Sequence, residues 1–334
     1  MKIASPLFSL GSALILTASA FAADRYTGLD TAKYLGELRT ETTLPGTKNF
    51  TEGPAVDAAG NVFFTNTGEI LKWDPAAAVL STFRKPSNGA NGMAFDAQGR
   101  LLMCEAPAGK PGQVTRTDMK TGGITVLCDG FNGFPLGGPN DLCVDGAGRI
   151  YFTSRLPNTD PTTGNVNAVY RIDPGGKVAR ILAAPDIDMP NGLAVSPDSR
   201  TFYLIESDGR ENRARCIRAY DLGADGSVSN QRIIYNFHPG RGGDGMRVDA
   251  AGNLYVAAGL HKTRGTSETL DTLPGIHVFT PQGKLVAFVR TPEDTITNCA
   301  FGGADGSTLY VTCGRFLLSL RTQQAGSPLY RGQK

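Results

Sequence analysis

The sequence predicts an all-β fold, a six-bladed β-propeller built from four-stranded antiparallel blades, and three observations carry that expectation. The first is an internal repeat: "EGPAVDAAGNVFFTN", "NGMAFDAQGRLLMCE", "NDLCVDGAGRIYFTS", "NGLAVSPDSRTFYLIE", "DGMRVDAAGNLYVAA" and "TNCAFGGADGSTLYVTC" can be stacked residue by residue. Each reads as a short apolar strand, a turn rich in Asp, Ala and Gly, and a second strand. The second is the spacing. The sixth residues of the six segments are Asp57, Asp96, Asp145, Ser196, Asp249 and Gly302, separated by 39, 49, 51, 53 and 53 residues. The third is what lies between, namely further strand pairs such as "EILKWDP" with "LSTFRK". A four-stranded sheet of about fifty residues cannot bury both of its faces alone, so six of them must pack radially.

Taken in order, the first repeat is completed by "EILKWDP" and "LSTFRK", the third by "AVYRIDPGG" and "KVARILA", and the fifth by "GIHVFTPQG" and "KLVAFVR". The sixth runs short. "FLLSLRT" supplies a third strand and no fourth follows it, so "LGELRTETTL" at residues 35–44 is expected to fill the gap on the sheet that holds Thr297 to Thr322. Closing the ring with both chain ends also removes an open sheet edge.

The 334 residues contain 42 glycines and 20 prolines, spread along the chain as many short strands and turns require. Lys+Arg 33 against Asp+Glu 31 leaves a formal charge of +2, with no basic cluster that would mark a nucleic-acid partner. "MKIASPLFSLGSALILTASAFAAD" has Lys2, an apolar stretch from about Leu7 to Thr17 and small residues around Ala22. That is the pattern of a secretory signal peptide covering residues 1–23, followed by a single domain over 24–334. No other segment approaches the length of a membrane span. The expected location is therefore the periplasm or the exterior, the expected state monomer or dimer, and the expected partner a small molecule. Six cysteines occur without CxxC spacing, and Cys299 with Cys313 is the best candidate disulfide pair.

The first residue of each repeat lies five before its anchor, at the start of the innermost strand. These positions read Glu52, Asn91, Asn140, Asn191, Asp244 and Thr297. Symmetry places them in a ring around one mouth of the central channel. An Asn or Asp before a strand is, in any single repeat, explained by hydrogen bonding to loop backbone. Six oxygen-bearing groups with two acids among them point instead to a site for a hard divalent cation, calcium first, with zinc, magnesium and manganese as alternatives.

The segments "EGPAVD", "PNDLCVD", "MPNGLAVSPDSRTFYLIES", "DGMRVDAAGNLYVA" and "TNCAFGGADGSTLYVTC", met in that order, resemble the senescence marker protein, gluconolactonase and luciferin-regenerating enzyme family, closer to its bacterial gluconolactonase branch. The resemblance runs from about residue 46 to 320. It implies a six-bladed propeller with one divalent ion in its channel. It also implies that Glu52, Asn191 and Asp244 hold this ion, with Asn140 at the substrate or on the metal's edge. The implied activity is opening of a sugar lactone, with Asp244 as candidate general base or as ligand alone.

Second strands return to the same mouth, which makes Asn66, Glu105, Arg155, Glu206 and His261 further candidates. Of these, Glu105, Arg155 and His261 join Asn91 and Asn140 as expected substrate contacts. His238 and His277 have weaker claims, and "HKTRGTSETLDTLPG" at 261–275 is long enough to form a lid. Two alternatives stay open from the residues: a hydrolase of other lactones or phosphotriesters, and a non-catalytic sugar- or protein-binding propeller with a structural ion.

Overall fold

The computed structural model describes residues 25–155 and 166–330, so the expected signal peptide lies outside the described residues. It contains six four-stranded antiparallel sheets in sequential order. Blade 1 is Thr51–Val56, Val62–Asn66, Glu69–Asp74 and Val79–Arg84, and blades 2 to 5 repeat the pattern over residues 90–128, 138–183, 190–236 and 243–290. Blade 6 takes three strands from Ile296–Gly302, Thr308–Cys313 and Phe316–Arg321. Its fourth is Arg39–Thr43, running antiparallel with Arg39 opposite Ser319 and Thr43 opposite Phe316. Glu41 fastens this closure by accepting from Ser319 Oγ at 2.6 Å and from Trp73 Nε1 at 3.0 Å, which ties blade 6 to blade 1. A small hairpin, Gly130–Phe131 with Phe134–Pro135, precedes blade 3. No helix among the described residues is long and apolar enough to cross a membrane.

The anchor residues have a local role. Asp57 Oδ1 accepts from the amides of Ala59 and Asn61, and Asp96, Asp145 and Asp249 do the same in their own turns. Each carboxylate thus replaces a backbone acceptor and closes the hairpin between first and second strands.

The period-2 alternation of the second strands divides the core. Leu101 and Met103 join Phe63 and Met93 between blades 1 and 2, whereas Leu102 and Cys104 join Leu142 and Phe152 between blades 2 and 3. Similarly Leu204 faces blade 3 and Ile205 faces blade 5. Six wedges of apolar side chains result, one per blade boundary, so both faces of the inner strands are buried while outer strands such as Val79–Arg84 and Val228–Asn236 stay largely exposed. The first strands of successive blades touch one another around the whole circle and surround the channel.

The expected Cys299–Cys313 disulfide is not formed; all six cysteines are free and buried. The reason is register. Cys299 pairs with Val311 and directs its thiol to the Tyr255 carbonyl, whereas Cys313 pairs with Ile296 and directs its thiol to the Glu293 carbonyl. Burial pushes the two thiols up to about 12 and about 11, which keeps them protonated.

Candidate active site at the channel mouth

In every blade the pairing of first and second strands slips near the ring position, between Glu52 and Ala55, Ala90 and Met93, Pro139 and Leu142, Pro190 and Leu193, Gly243 and Met246, and Ile296 and Asn298. Such a bulge re-aims a side chain that a regular ladder would hold against the sheet. The residue after the ring position is glycine in four blades, because the next inner strand approaches there. A Cβ on Gly192 would lie 2.4 Å from the Asp244 carbonyl, and one on Gly53, whose φ is +50, would overlap the Asn91 carbonyl.

Close approach brings ring residues of neighbouring blades together. Asn191 Nδ2 donates to Asp244 Oδ1 at 2.6 Å and to Ser207 Oγ at 3.1 Å. Asp244 Oδ2 accepts from Arg241 Nη2 at 2.6 Å, while Arg241 Nη1 donates to the carbonyls of Gly259 and Ile296. Glu52 is buried, accepts through Oε2 from the Gly53 amide at 2.7 Å and from Asn298 Nδ2 at 3.2 Å, and senses the charge of Asp244. Burial first, then Asp244 and Asp141, pushes the Glu52 carboxyl up to about 8.

The other candidates divide. Asn140 and Asn91 stand in the ring, buried and half-buried, and their amides bond to no described residue. Arg155 ends the second strand of blade 3, half-buried, within electrostatic reach of Asp244, Glu52, Asp141 and Arg241. Thr297 does not open into the channel; its hydroxyl bonds to the Thr51 carbonyl and to Thr312. Glu105 is not brought to the ring either, being held by Arg84, Asn88, Gln113 and Thr115. Glu206 is likewise engaged by Arg218 and the amides of Asp188 and Met189. Both acids follow their strand's alternation and point at a neighbouring blade rather than along the channel. Asn66 bonds the amide of Phe50, His261 lies between Arg290 and the Thr291 carbonyl, and His238 meets the Arg213 carbonyl. His277 is a buried strand residue bonded to the Tyr26 hydroxyl. Loop 261–275 is fastened rather than free: buried Arg215 donates to the Ser267 side chain and carbonyl and to the carbonyls of Asp208 and Pro239.

Three functional neighbours escape a reading by ring position alone. Asp141 and Asn298 occupy the position that is glycine in the other four repeats. Asn298 Nδ2 reaches Asp141 Oδ2 at 3.1 Å, and Arg247 lies 3.9 Å from the same carboxylate. These two exceptions fill the space the glycines clear, since a Cβ on Gly92 or Gly245 would collide with the Asp141 or Asn298 side chain. Their departure from the "NG/DG" pattern was the available signal. Arg241, three before Asp244 in "GRGGDG", carried none.

A hard cation suits part of this donor set. Glu52 Oε1 and Asn191 Oδ1 belong to buried residues and accept no hydrogen bond from a described residue, while the repulsion that raises Glu52 is what a cation between the carboxylates would relieve. Among the described residues no group of three or more His, Cys, Asp or Glu could hold a metal, so the set amounts to two carboxylates and an amide oxygen.

Comparison with known proteins agrees with this architecture. Residues 50–315 match the model of the SMP-30/Gluconolactonase/LRE-like region. The chain is 29% identical over 311 residues to gluconolactonase of Zymomonas mobilis, covering 83% of this chain and 80% of that one. It is 33% identical over 182 residues to rabbit (Oryctolagus cuniculus) regucalcin, a match spanning 53% of this chain and 54% of the relative. Among solved structures, the Xanthomonas campestris gluconolactonase XC5397 superposes with a TM-score of 0.71 at 29% identity, covering 87% of this chain and 91% of that chain. The matched span includes all six ring positions and all but the chain ends of the propeller: the chain belongs to the SMP-30/gluconolactonase/LRE-like family.

Proposed function

We propose that the protein hydrolyses the ester of a sugar lactone at this mouth, with the aid of a divalent cation, calcium in the first instance. The observation that carries the reading is the Glu52, Asn191 and Asp244 group, in which one oxygen of a buried acid and the oxygen of a buried amide accept no hydrogen bond from a described residue, beside a carboxylate that is itself held in place. Membership of a family that includes gluconolactonases supports the reaction class. Glu52, Asn191 and Asp244 would hold the ion, which when bound supplies Lewis acidity toward the lactone carbonyl.

The chain's own groups account for the rest. Asn191 and Arg241 fix the Asp244 carboxylate on both oxygens, which orients its remaining lone pairs toward a water in the channel. The water oxygen bonds to the carbonyl carbon as Asp244 takes its proton. The ring C–O bond then breaks, Asp244 passes its proton to the departing oxygen to make a hydroxyl, and the carboxylic acid formed releases the water's second proton to solvent and leaves as a carboxylate. Asn91 and Asn140, with free amides, are placed to bond sugar hydroxyls. Export of the mature chain after removal of residues 1–23 belongs to the same proposal, and the N-terminal mass of protein from the cell envelope and medium tests it.

The reaction is tested by proton release from glucono-1,5-lactone with calcium and with chelator. Chelator-sensitive turnover is expected. Ion-dependent melting without turnover of any lactone or phosphotriester would instead identify a binding propeller with a structural ion.

A further inference from the structure

Around the channel mouth most guanidinium groups have protein partners. Arg241 is paired with Asp244, and Arg247 donates to the carbonyls of Met246 and Met93 near Asp141. Arg264, on the loop after blade 5's second strand, donates to the Asp294 carbonyl. Arg155 differs. It pairs by backbone with Gly138, is half-buried, and its guanidinium hydrogen-bonds to no described residue. Its surroundings are nevertheless charged, with Asp244, Glu52 and Asp141 attracting it and Arg241 repelling it.

We propose that the site takes lactones bearing a second, ionised carboxylate, and that Arg155 receives this group while the ester lies against Asp244 and Glu52; the proposal rests on the lactonase reading above. A guanidinium presents five donors in a rigid fork and cannot shed its proton in a protein. A hydroxyl engages one such donor and leaves the charge uncompensated. A carboxylate engages two in parallel and cancels it. Burial disfavours the charge at Arg155, pressing it below the usual arginine range, so an arriving anion is favoured by its solvation as well as by its shape. A phosphate dianion is a poorer fit, because one guanidinium cancels only one of its two charges. Asn91 and Asn140 remain for the hydroxyls between the two ends, so the substrate class is a lactone of a sugar dicarboxylic acid.

The test compares proton release from a neutral six-carbon aldonolactone, an aldaro-1,4-lactone with its free carboxylate, and a 6-phosphorylated aldonolactone, together with calorimetric binding of open-chain aldarate and aldonate. The wild-type kcat/KM is expected to favour the aldarolactone by at least tenfold. Arg155→Ala should lower that ratio by tenfold or more whatever its effect on absolute rates, Arg155→Lys should restore part of it, and melting temperature reports whether the variants fold. In calorimetry aldarate should bind more tightly than aldonate, a preference lost in Arg155→Ala. A ratio unmoved by the substitution, or a preference for the neutral or phosphorylated lactone, overturns the proposal, as do equal affinities for the two acids. Should no lactone be turned over while the aldarate preference stands, the lactonase reading falls and the assignment of Arg155 survives.

Discussion

Asn191 and Asp244 come from neighbouring inner strands and share a 2.6 Å hydrogen bond from the amide nitrogen to Oδ1, while Arg241 occupies Oδ2 at the same distance. The carboxylate is therefore oriented before any substrate arrives, a prerequisite for a general base.

Replacing Asp244 by Asn keeps an oxygen of similar shape and removes the basicity. Lactone turnover should fall by about 10² to 10⁴, the usual contribution of a positioned base, and excess calcium should not restore it. Glu52→Gln should lose metal affinity first and recover most of its turnover at high calcium. A metal titration of both variants checks this; recovery of Asp244→Asn would make Asp244 a ligand alone.

Under the proposed reading Arg241, which already bonds Asp244 Oδ2, would compete with a bound cation for that carboxylate. Arg241→Met should leave that buried carboxylate without its partner and cost about 3 kcal/mol of stability in chelator, as broken buried pairs do. Calcium should then stabilise the variant more than the wild type. Urea unfolding of both proteins with and without calcium measures the difference, and equal calcium responses would show that the two cations do not compete.

Gly192 lies where the inner strands of blades 4 and 5 meet. Gly192→Ala must push the Asp244 carbonyl aside, with an expected cost of about 1–3 kcal/mol or more and a fall in turnover through the displaced Asn191–Asp244 pair. Gly175→Ala, with nothing within 4 Å of the added carbon, should stay within about 0.5 kcal/mol. Chemical denaturation and lactone assays of the two variants provide the comparison.

His277 is held neutral by burial, its pKa lowered from 6.5 to about 3. Between those values the unfolded chain binds a proton that the folded chain refuses, so stability is lost as pH falls, by at most about 1.4 kcal/mol per unit. Glu206 acts in the opposite sense between 4.5 and about 7, since burial raises it. The comparison is therefore between wild type and His277→Gln: the variant's urea midpoint should decline less as pH drops from 6.5 to 4. Parallel declines would remove His277 as the source.

The sequence by itself determined the blade count, the ring positions and the closure of blade 6 by residues 35–44. These features are encoded locally, in period-2 alternation and in turn residues whose carboxylates bond amides two and four positions on. Only the tertiary structure decided which side chains meet. Asn191 and Asp244 are 53 residues apart and touch because glycine lets the inner strands close up; Asn298 and Asp141, 157 apart, meet across the channel in space other glycines leave empty. Glu105 ends its strand on a face turned toward the neighbouring blade, as Glu206 does, whereas Arg155 ends its own with a guanidinium that no described residue engages, within electrostatic reach of Asp244 and Glu52. Strand alternation selects the face a residue takes. The packing of one blade on the next decides whether that face is wall or mouth, and no local pattern carries that information.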